Sequence, residues 1–240
     1  MIVQACINGA RPDHYHPRLP RTAEAIAIDA AACVAVGAAE LHIHPRGRDG
    51  RESLSSVDET VRAVRRTCPG TFVGVSTGAW IEGDKKRTRN CIAAWRLLPD
   101  YASVNLSEQD APAVIALLHN MGVGVEAGLA TVADAERFVA LPDCRRTLRI
   151  LIEIGEQDLE KADAVANEIR QVLEQANVRR PILLHGFDAS VWHFVKRAHH
   201  QRWSTRVGLE DGCQRPNGEI ASGNADLVSD AIQIFRPAPR

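Results

Sequence analysis

Apolar positions fall in blocks whose period changes along the chain, from continuous runs of five to seven residues to stretches repeating at helical spacing. Residues 2–7 form a short apolar run closed by Asn8-Gly9, which predicts a buried strand and a sharp turn. Residues 22–36 are alanine-rich and helical in spacing, with Thr22 placed to cap and Gly37 to stop. The same pair of elements then recurs. Strands are expected at 39–44, 71–76, 101–106, 123–127, 148–154, 181–185 and 206–211. Helices are expected at 57–67, 86–98, 110–121, 131–141, 157–176, 189–200 and 224–235, with Ser56 and Glu59 spaced as a capping box. Roughly eight βα units in series predict an α/β fold of the (β/α)8 TIM barrel type, for which about 250 residues is typical. No linker divides the chain, so one barrel domain over residues 1–240 is expected. An open doubly wound sheet is the alternative, but neither a Gly-x-Gly-x-x-Gly after the first strand nor a Walker sequence is present.

Composition narrows the partners. Against 29 basic residues stand 30 acidic ones, a net charge of -1 that leaves no electrostatic footprint for nucleic acid or an anionic membrane. A small-molecule partner is expected instead. The six cysteines include no Cys-x-x-Cys pair, which argues against a zinc ribbon or a disulfide scaffold and for reduced thiols. The start, Met1-Ile2-Val3-Gln4-Ala5, runs into a strand without a basic leader, and no apolar run is long enough to span a bilayer; the expectation is a soluble, cytoplasmic protein.

The chemistry centres on Leu41-His42-Ile43-His44-Pro45. A strand alternates its side chains, so His42 and His44 project from one face, at the carboxyl end where α/β folds build their sites. Two imidazoles side by side suggest a metal; two hydrogen-bonded structural histidines fit the same pattern. A barrel would bring further polar strand ends to the same mouth: Asn8, Ser76, Asn105, Glu126, Glu153, His185, Glu210 and Asp211. Two histidines and a carboxylate form a catalytic zinc set, and Glu210 is the natural third ligand because closure puts the last strand beside the first. Its alternative role is an ion pair with Arg206. Asp211 is then placed to act as a base. Ser76 and Ser103 offer hydroxyls, although serine at strand ends also forms turns. His14, His16, His199 and His200 are expected at the surface, and Cys6 and Cys33 in the core.

Taken together, Cys6-Ile7-Asn8-Gly9-Ala10, His16-Pro17-Arg18-Leu19-Pro20, Leu41-His42-Ile43-His44, Val75-Ser76-Thr77-Gly78 and Val207-Gly208-Leu209-Glu210-Asp211 resemble the β-keto acid cleavage enzymes, from the first strand to the last helix. The resemblance implies a zinc-containing barrel, one ion per chain and a homo-oligomer, that transfers acyl units between a β-keto acid and acetyl-CoA to give acetoacetate and a new CoA thioester. It implies His42, His44 and Glu210 as ligands, Asp211 as acid or base, and Arg206, Ser76 and Ser103 as catalytic partners. Asn8, Asn105 and Glu126 are expected to bind substrate. A zinc-dependent aldolase or hydrolase acting on another carbonyl compound is the alternative activity, and a barrel that only binds a ligand is a third. One departure bears on substrate choice: Arg11 stands where the family's typical member, which acts on an aminated substrate, has an acidic residue. A free guanidinium there would favour a β-keto acid with a neutral or anionic far end, unless Arg11 braces its loop through Asp13.

Overall fold

The computed structural model describes residues 1–236. Eight strands, β1 (Val3–Cys6), β2 (Glu40–Ile43), β3 (Phe72–Ser76), β4 (Tyr101–Asn105), β5 (Gly124–Leu129), β6 (Arg149–Ile154), β7 (Ile182–Gly186) and β8 (Ser204–Val207), pair in parallel and in sequence order. The sheet closes where β8 meets β1, with Gln4 opposite Arg206. Around it run α1 (Ala23–Ala35), α2 (Val57–Thr67), α3 (Ala79–Glu82), α4 (Lys85–Ala93), α5 (Ala111–Met121), α6 (Val132–Val139), α7 (Leu159–Gln175), α8 (Val191–Gln201) and α9 (Asn224–Phe235). This is the (β/α)8 barrel expected from the alternation.

The helices form where periodicity and caps coincide. Residues buried at i, i+3, i+4 and i+7 give α2 (Val57, Val61, Val64, with Thr60), α5 (Ala111, Val114, Ile115, Leu118) and α8 (Val191, Phe194, Val195, Ala198) one apolar stripe each against the strands. Thr22, Asp84, Thr131 and Asp158 accept backbone N–H groups at the starts of α1, α4, α6 and α7.

Five local expectations are corrected. Ser56 does not cap α2 with its side chain; it closes a 3-10 turn over Leu54–Ser56, and its carbonyl accepts the Thr60 hydroxyl at 3.0 Å. Helix α4 ends at Ala93, because the Asp58 carboxylate takes the Arg96 and Leu97 N–H groups at 3.1 Å and diverts the chain. Strand β5 runs on to Leu129, so Glu126 is its third residue and not its end. Strand β8 stops at Val207, ahead of the acidic pair, where the Asp211 and Gly212 N–H groups turn back onto the Gly208 carbonyl at 2.9 and 3.0 Å. His16 is buried and hydrogen-bonded to the Ala221 carbonyl at 2.9 Å, not at the surface.

Inside the barrel the lower layer is polar, not aliphatic. Gln4 donates to the Tyr101 hydroxyl at 2.8 Å and to Glu40 and Glu126 at 3.3 Å each, while Arg149 pairs with Glu126 at 2.5 Å and with Glu40. The six cysteines are free, Cys33 lying in the core and Cys6 in the barrel interior. No helix among the described residues is long and apolar enough to cross a membrane.

Candidate active site

Strand β2 delivers His42 from its body and His44 from the residue just past its end. Asn8 fixes the second of these by its backbone, donating to the His44 carbonyl and accepting the His44 N–H, both at 2.9 Å. Glu210 arrives from the turn after β8. That turn is seated by Asn224, whose side chain accepts the Leu209 N–H at 2.6 Å and donates to the Ile7 carbonyl at 2.7 Å. The approach also requires Gly9, which has φ +54° and where a Cβ would lie 2.4 Å from Glu210 Cγ. Gly208 is bare for a similar reason, since a Cβ there would lie 2.0 Å from the Cys6 carbonyl oxygen.

The result is a triangle of donor atoms. His42 Nε2 and His44 Nε2 are 3.2 Å apart, and they lie 3.7 and 3.4 Å from Glu210 Oε1. Ligand bonds of about 2.0–2.1 Å in a tetrahedron put neighbouring donors about 3.3–3.4 Å apart, so these three atoms fit three corners around a small divalent ion. All three residues are buried. His44 Nδ1 is bonded to the Glu52 carboxylate, the kind of outer partner that leaves Nε2 with its lone pair facing the triangle. Burial opposes charge on both imidazoles. It wins at His42, which is lowered to about 4 and is neutral; at His44 the carboxylates of Glu210 and Glu52 outweigh it and raise the ring to about 9. Burial would raise Glu210, but Arg206 and the two imidazoles hold it well below the ordinary carboxylate range. The negative field that retains a proton on His44 is one that a cation in the triangle would feel too, and Glu210 Oε2 is buried without a hydrogen bond among the described residues.

These atoms open onto a cavity of about 320 Å³ at the carboxyl ends of the strands. Of the residues singled out in the sequence, Arg11, His42, His44, Ser76, Ser103, Asn105, Glu153, Arg206 and Glu210 line it. Asn8, Glu126 and Asp211 do not. Asn8 clamps His44, and Glu126 belongs to the polar layer below. Asp211 stands behind Arg206, whose Nη2 bridges Glu210 Oε1 at 2.7 Å and Asp211 Oδ1 at 2.8 Å. Thus the ion pair and the donor triangle, which were alternatives for Glu210, coexist. Burial raises Asp211 to about 6, with Glu210 adding to the effect and Arg206 opposing it. Its Oδ2 has no hydrogen-bond partner among the described residues. Ser76 is partly committed, since its hydroxyl accepts the Gly78 N–H at 3.3 Å.

Arg11 is not the free cation the sequence suggested. Its Nε donates to the Glu210 carbonyl at 2.9 Å, and its Nη2 to the Asp211 carbonyl at 2.9 Å and to Asp188 at 2.7 Å. Asp13, its other suggested partner, pairs with Arg21. Sequence reasoning missed three groups. Glu52 reaches His44 because residues 46–52 double back through a bridge between Arg46 and Glu52. Trp80, half exposed at the rim, donates its indole N–H to Glu52 at 3.0 Å. Asp188 neutralises Arg11. Only the turn signal Gly47-Arg48-Asp49-Gly50 hinted at the first of these.

A family model described as beta-keto acid cleavage enzyme matches residues 1–141, more than half of the chain. Two curated relatives, the 3-keto-5-aminohexanoate cleavage enzymes of Fusobacterium nucleatum subsp. nucleatum and Acetoanaerobium sticklandii, are each 33% identical over 81 residues. That stretch is 32% of this chain and 30% of either relative, so the match spans under a third of those proteins. Among solved structures, ObcA in its ternary complex with a C4-CoA adduct and oxalate superposes with a TM-score of 0.74 at 18% identity, over 90% of this chain and 63% of that one. Its complex with oxaloacetate gives 0.72 with the same coverage. Type I 3-dehydroquinate dehydratase from Clostridium difficile gives 0.66 at 14% identity, over 98% of this chain and 90% of that one. At such identities the likeness is one of fold.

Proposed function

The chain belongs to the β-keto acid cleavage enzyme family, and from that membership we propose that it transfers the acyl part of a β-keto acid to CoA, consuming acetyl-CoA and releasing acetoacetate. The observation that carries this reading is the triangle of His42, His44 and Glu210 at 3.2–3.7 Å, with the Arg206–Asp211 pair directly behind it. One zinc ion per chain suits two imidazoles and a carboxylate, and it would supply a fixed positive charge that polarises a keto oxygen. Asp211, buried behind Arg206, would take the proton from the carbon between the keto and carboxylate groups. That carbon would bond to the acetyl carbon of acetyl-CoA as CoA thiolate leaves, and the thiolate would add to the original keto carbon. The proton would return to the middle carbon as the bond between the two carbons breaks, giving acetoacetate and the acyl-CoA. A carboxyl near 6 with an unoccupied Oδ2 suits both directions at neutral pH. Arg206 holds the other Asp211 oxygen and Glu210 in register, so proton acceptor and ligand move together. Ser76 and Ser103 offer hydroxyls to the substrate from the wall, and Asn105 offers an amide. Asn8 acts on His44 rather than on substrate, and Glu126 keeps the lower layer in order. The ligands in the ObcA complexes, a CoA adduct and a β-keto diacid, are the chemical pairing proposed for this chain.

The test is a panel of β-keto acids with acetyl-CoA, following acetoacetate and the new thioester together. The expected result is formation of both in equal amounts, abolished by a chelator and restored by zinc. Acetoacetate without a matching acyl-CoA would point to a lyase or hydrolase, and the transfer reading would be dropped.

A further inference from the structure

Two acceptor atoms in the cavity wall are left over by this chemistry. Glu153, the fifth residue of β6, lines the cavity with part of its surface open to it, and its carboxylate has no hydrogen bond or ion pair among the described residues. Asn105, the last residue of β4, lines the same cavity; its amide nitrogen donates to Glu108 at 3.4 Å, and its Oδ1 receives no donor among the described residues. Strand β5 separates them, but it contributes Gly128 at this level. A Cβ on Gly128 would lie 2.7 Å from Glu153 Oε1 and 2.9 Å from Asn105 Oδ1, so the two oxygens converge over a bare stretch of backbone. Acceptors brought together in a sheltered wall are under-satisfied until a ligand supplies N–H or O–H. Burial raises the Glu153 carboxyl to about 7, with Glu210, Glu126 and Asp211 adding to the effect and Arg206 opposing it.

Strand order fixes where this wall lies. In an eight-stranded closed barrel β5 is opposite β1. The donor triangle comes from the strands flanking β1, namely β2 and the turn after β8, while Asn105 and Glu153 come from β4 and β6, which flank β5. A substrate whose keto group faces the triangle therefore extends across the mouth toward Glu153. Arg11 does not compete for that end, since it lies on the β1 side with its charge met by Asp188.

We propose that Glu153 and Asn105 form the subsite for the far end of the substrate, and that they select β-keto acids whose tail carries a hydrogen-bond donor, a hydroxyl or an ammonium. The inference rests on the function proposed above, yet it is separable by experiment. Calorimetric titration of the zinc-loaded protein without acetyl-CoA would compare 3-oxohexanoate with its 5-hydroxy and 5-amino derivatives. The donor-bearing ligands are expected to bind at least tenfold tighter than 3-oxohexanoate. In Glu153→Met, with metal content checked, that preference should fall to threefold or less. In Glu153→Gln, which keeps one acceptor oxygen but no charge, the amine should lose more than the alcohol; this variant decides the matter if the first does not fold. Equal affinities in the wild type, or an unchanged preference in a zinc-loaded variant, would overturn the inference. A clear preference without acetyl-CoA-dependent turnover would instead overturn the transfer reading, and turnover without preference would do the reverse.

Discussion

Glu52 is the point at which a change of one atom should be felt at the metal. Its Oε1 receives His44 Nδ1 and its Oε2 receives the Trp80 indole N–H, so the carboxylate meets two donors with two acceptors. Glu52→Gln preserves the shape but leaves a single acceptor oxygen. Either His44 or Trp80 must then face an N–H₂ group, and turning the His44 ring proton to Nε2 to escape that clash would aim it into the donor triangle. Both side chains are well sheltered, at 4% and 12% exposure, so water cannot freely repair the loss. Removal of such outer partners typically weakens metal binding about 10- to 100-fold, or about 1.4–2.7 kcal/mol. Zinc affinity measured by competition with a chromophoric chelator should fall within that range, while circular dichroism reports an intact barrel. Trp80→Phe removes one donor and leaves the His44 contact, so it should cost less than Glu52→Gln. Affinity in Glu52→Gln within twofold of the wild type would refute the reasoning.

His42→Ala leaves one imidazole and one carboxylate, and elemental analysis should find less than a tenth of the wild-type zinc; full occupancy would remove His42 from the ligand set. Asp211→Asn keeps the contact with Arg206 through its amide oxygen but cannot take a proton, so turnover should fall by two to four decades with metal retained, as stopped assays and elemental analysis would show. Glu153 is predicted to destabilise the metal-free protein at high pH. Its carboxyl is raised from 4.5 to about 7, so the folded state holds the proton that the unfolded state releases, and stability falls as pH rises from 4.5 through 7. Glu153→Gln should therefore gain up to about 3 kcal/mol over wild type in urea unfolding at pH 8 and nothing at pH 4.5; a gain independent of pH would contradict that origin. Arg11→Ala frees the carbonyls of Glu210 and Asp211, and it should cost about 1–3 kcal/mol of stability and loosen zinc binding. Unaltered zinc affinity in that variant would limit Arg11 to the rim.

The barrel was legible because its signals are local. Apolar stripes, capping side chains and glycine stops lie within a few residues of one another, and α9 and α5 were predicted within a residue of where they lie. Errors came where a non-local contact overrides the pattern. Val207-Gly208-Leu209-Glu210 alternates like a strand, yet the backbone turns because Gly208 crosses the end of β1 and the next N–H groups fold back onto it. Glu126 looks like a strand-end carboxylate only until β5 is known to continue to Leu129. His42, His44 and Glu210 could be proposed together, since strand order alone brings β2 and β8 to either side of β1. Glu52, Trp80 and Asp188 could not, because their positions are set by loops whose paths depend on the folded mouth.

What distinguishes the mouth from the layer beneath it is the balance of charge. In the lower layer Glu40 and Glu126 share Arg149, with Gln4 and Tyr101 supplying further donors, so the acidic groups there have partners on the protein. At the mouth Glu153, Glu210 and the Asp211 behind it feel chiefly Arg206, since Arg11 is matched by Asp188, while Glu52 meets His44 and Trp80. That surplus of carboxylate is costly in a sheltered space, and the metal-free protein offsets part of it by keeping protons on His44 and Glu153. A divalent ion in the triangle would offset more, and would displace the His44 proton as it bound. A donor on the substrate tail would settle the remaining acceptors at Glu153 and Asn105. The groups that burden the folded state are therefore the same groups that would give the cavity affinity for a metal ion and for a donor-bearing substrate.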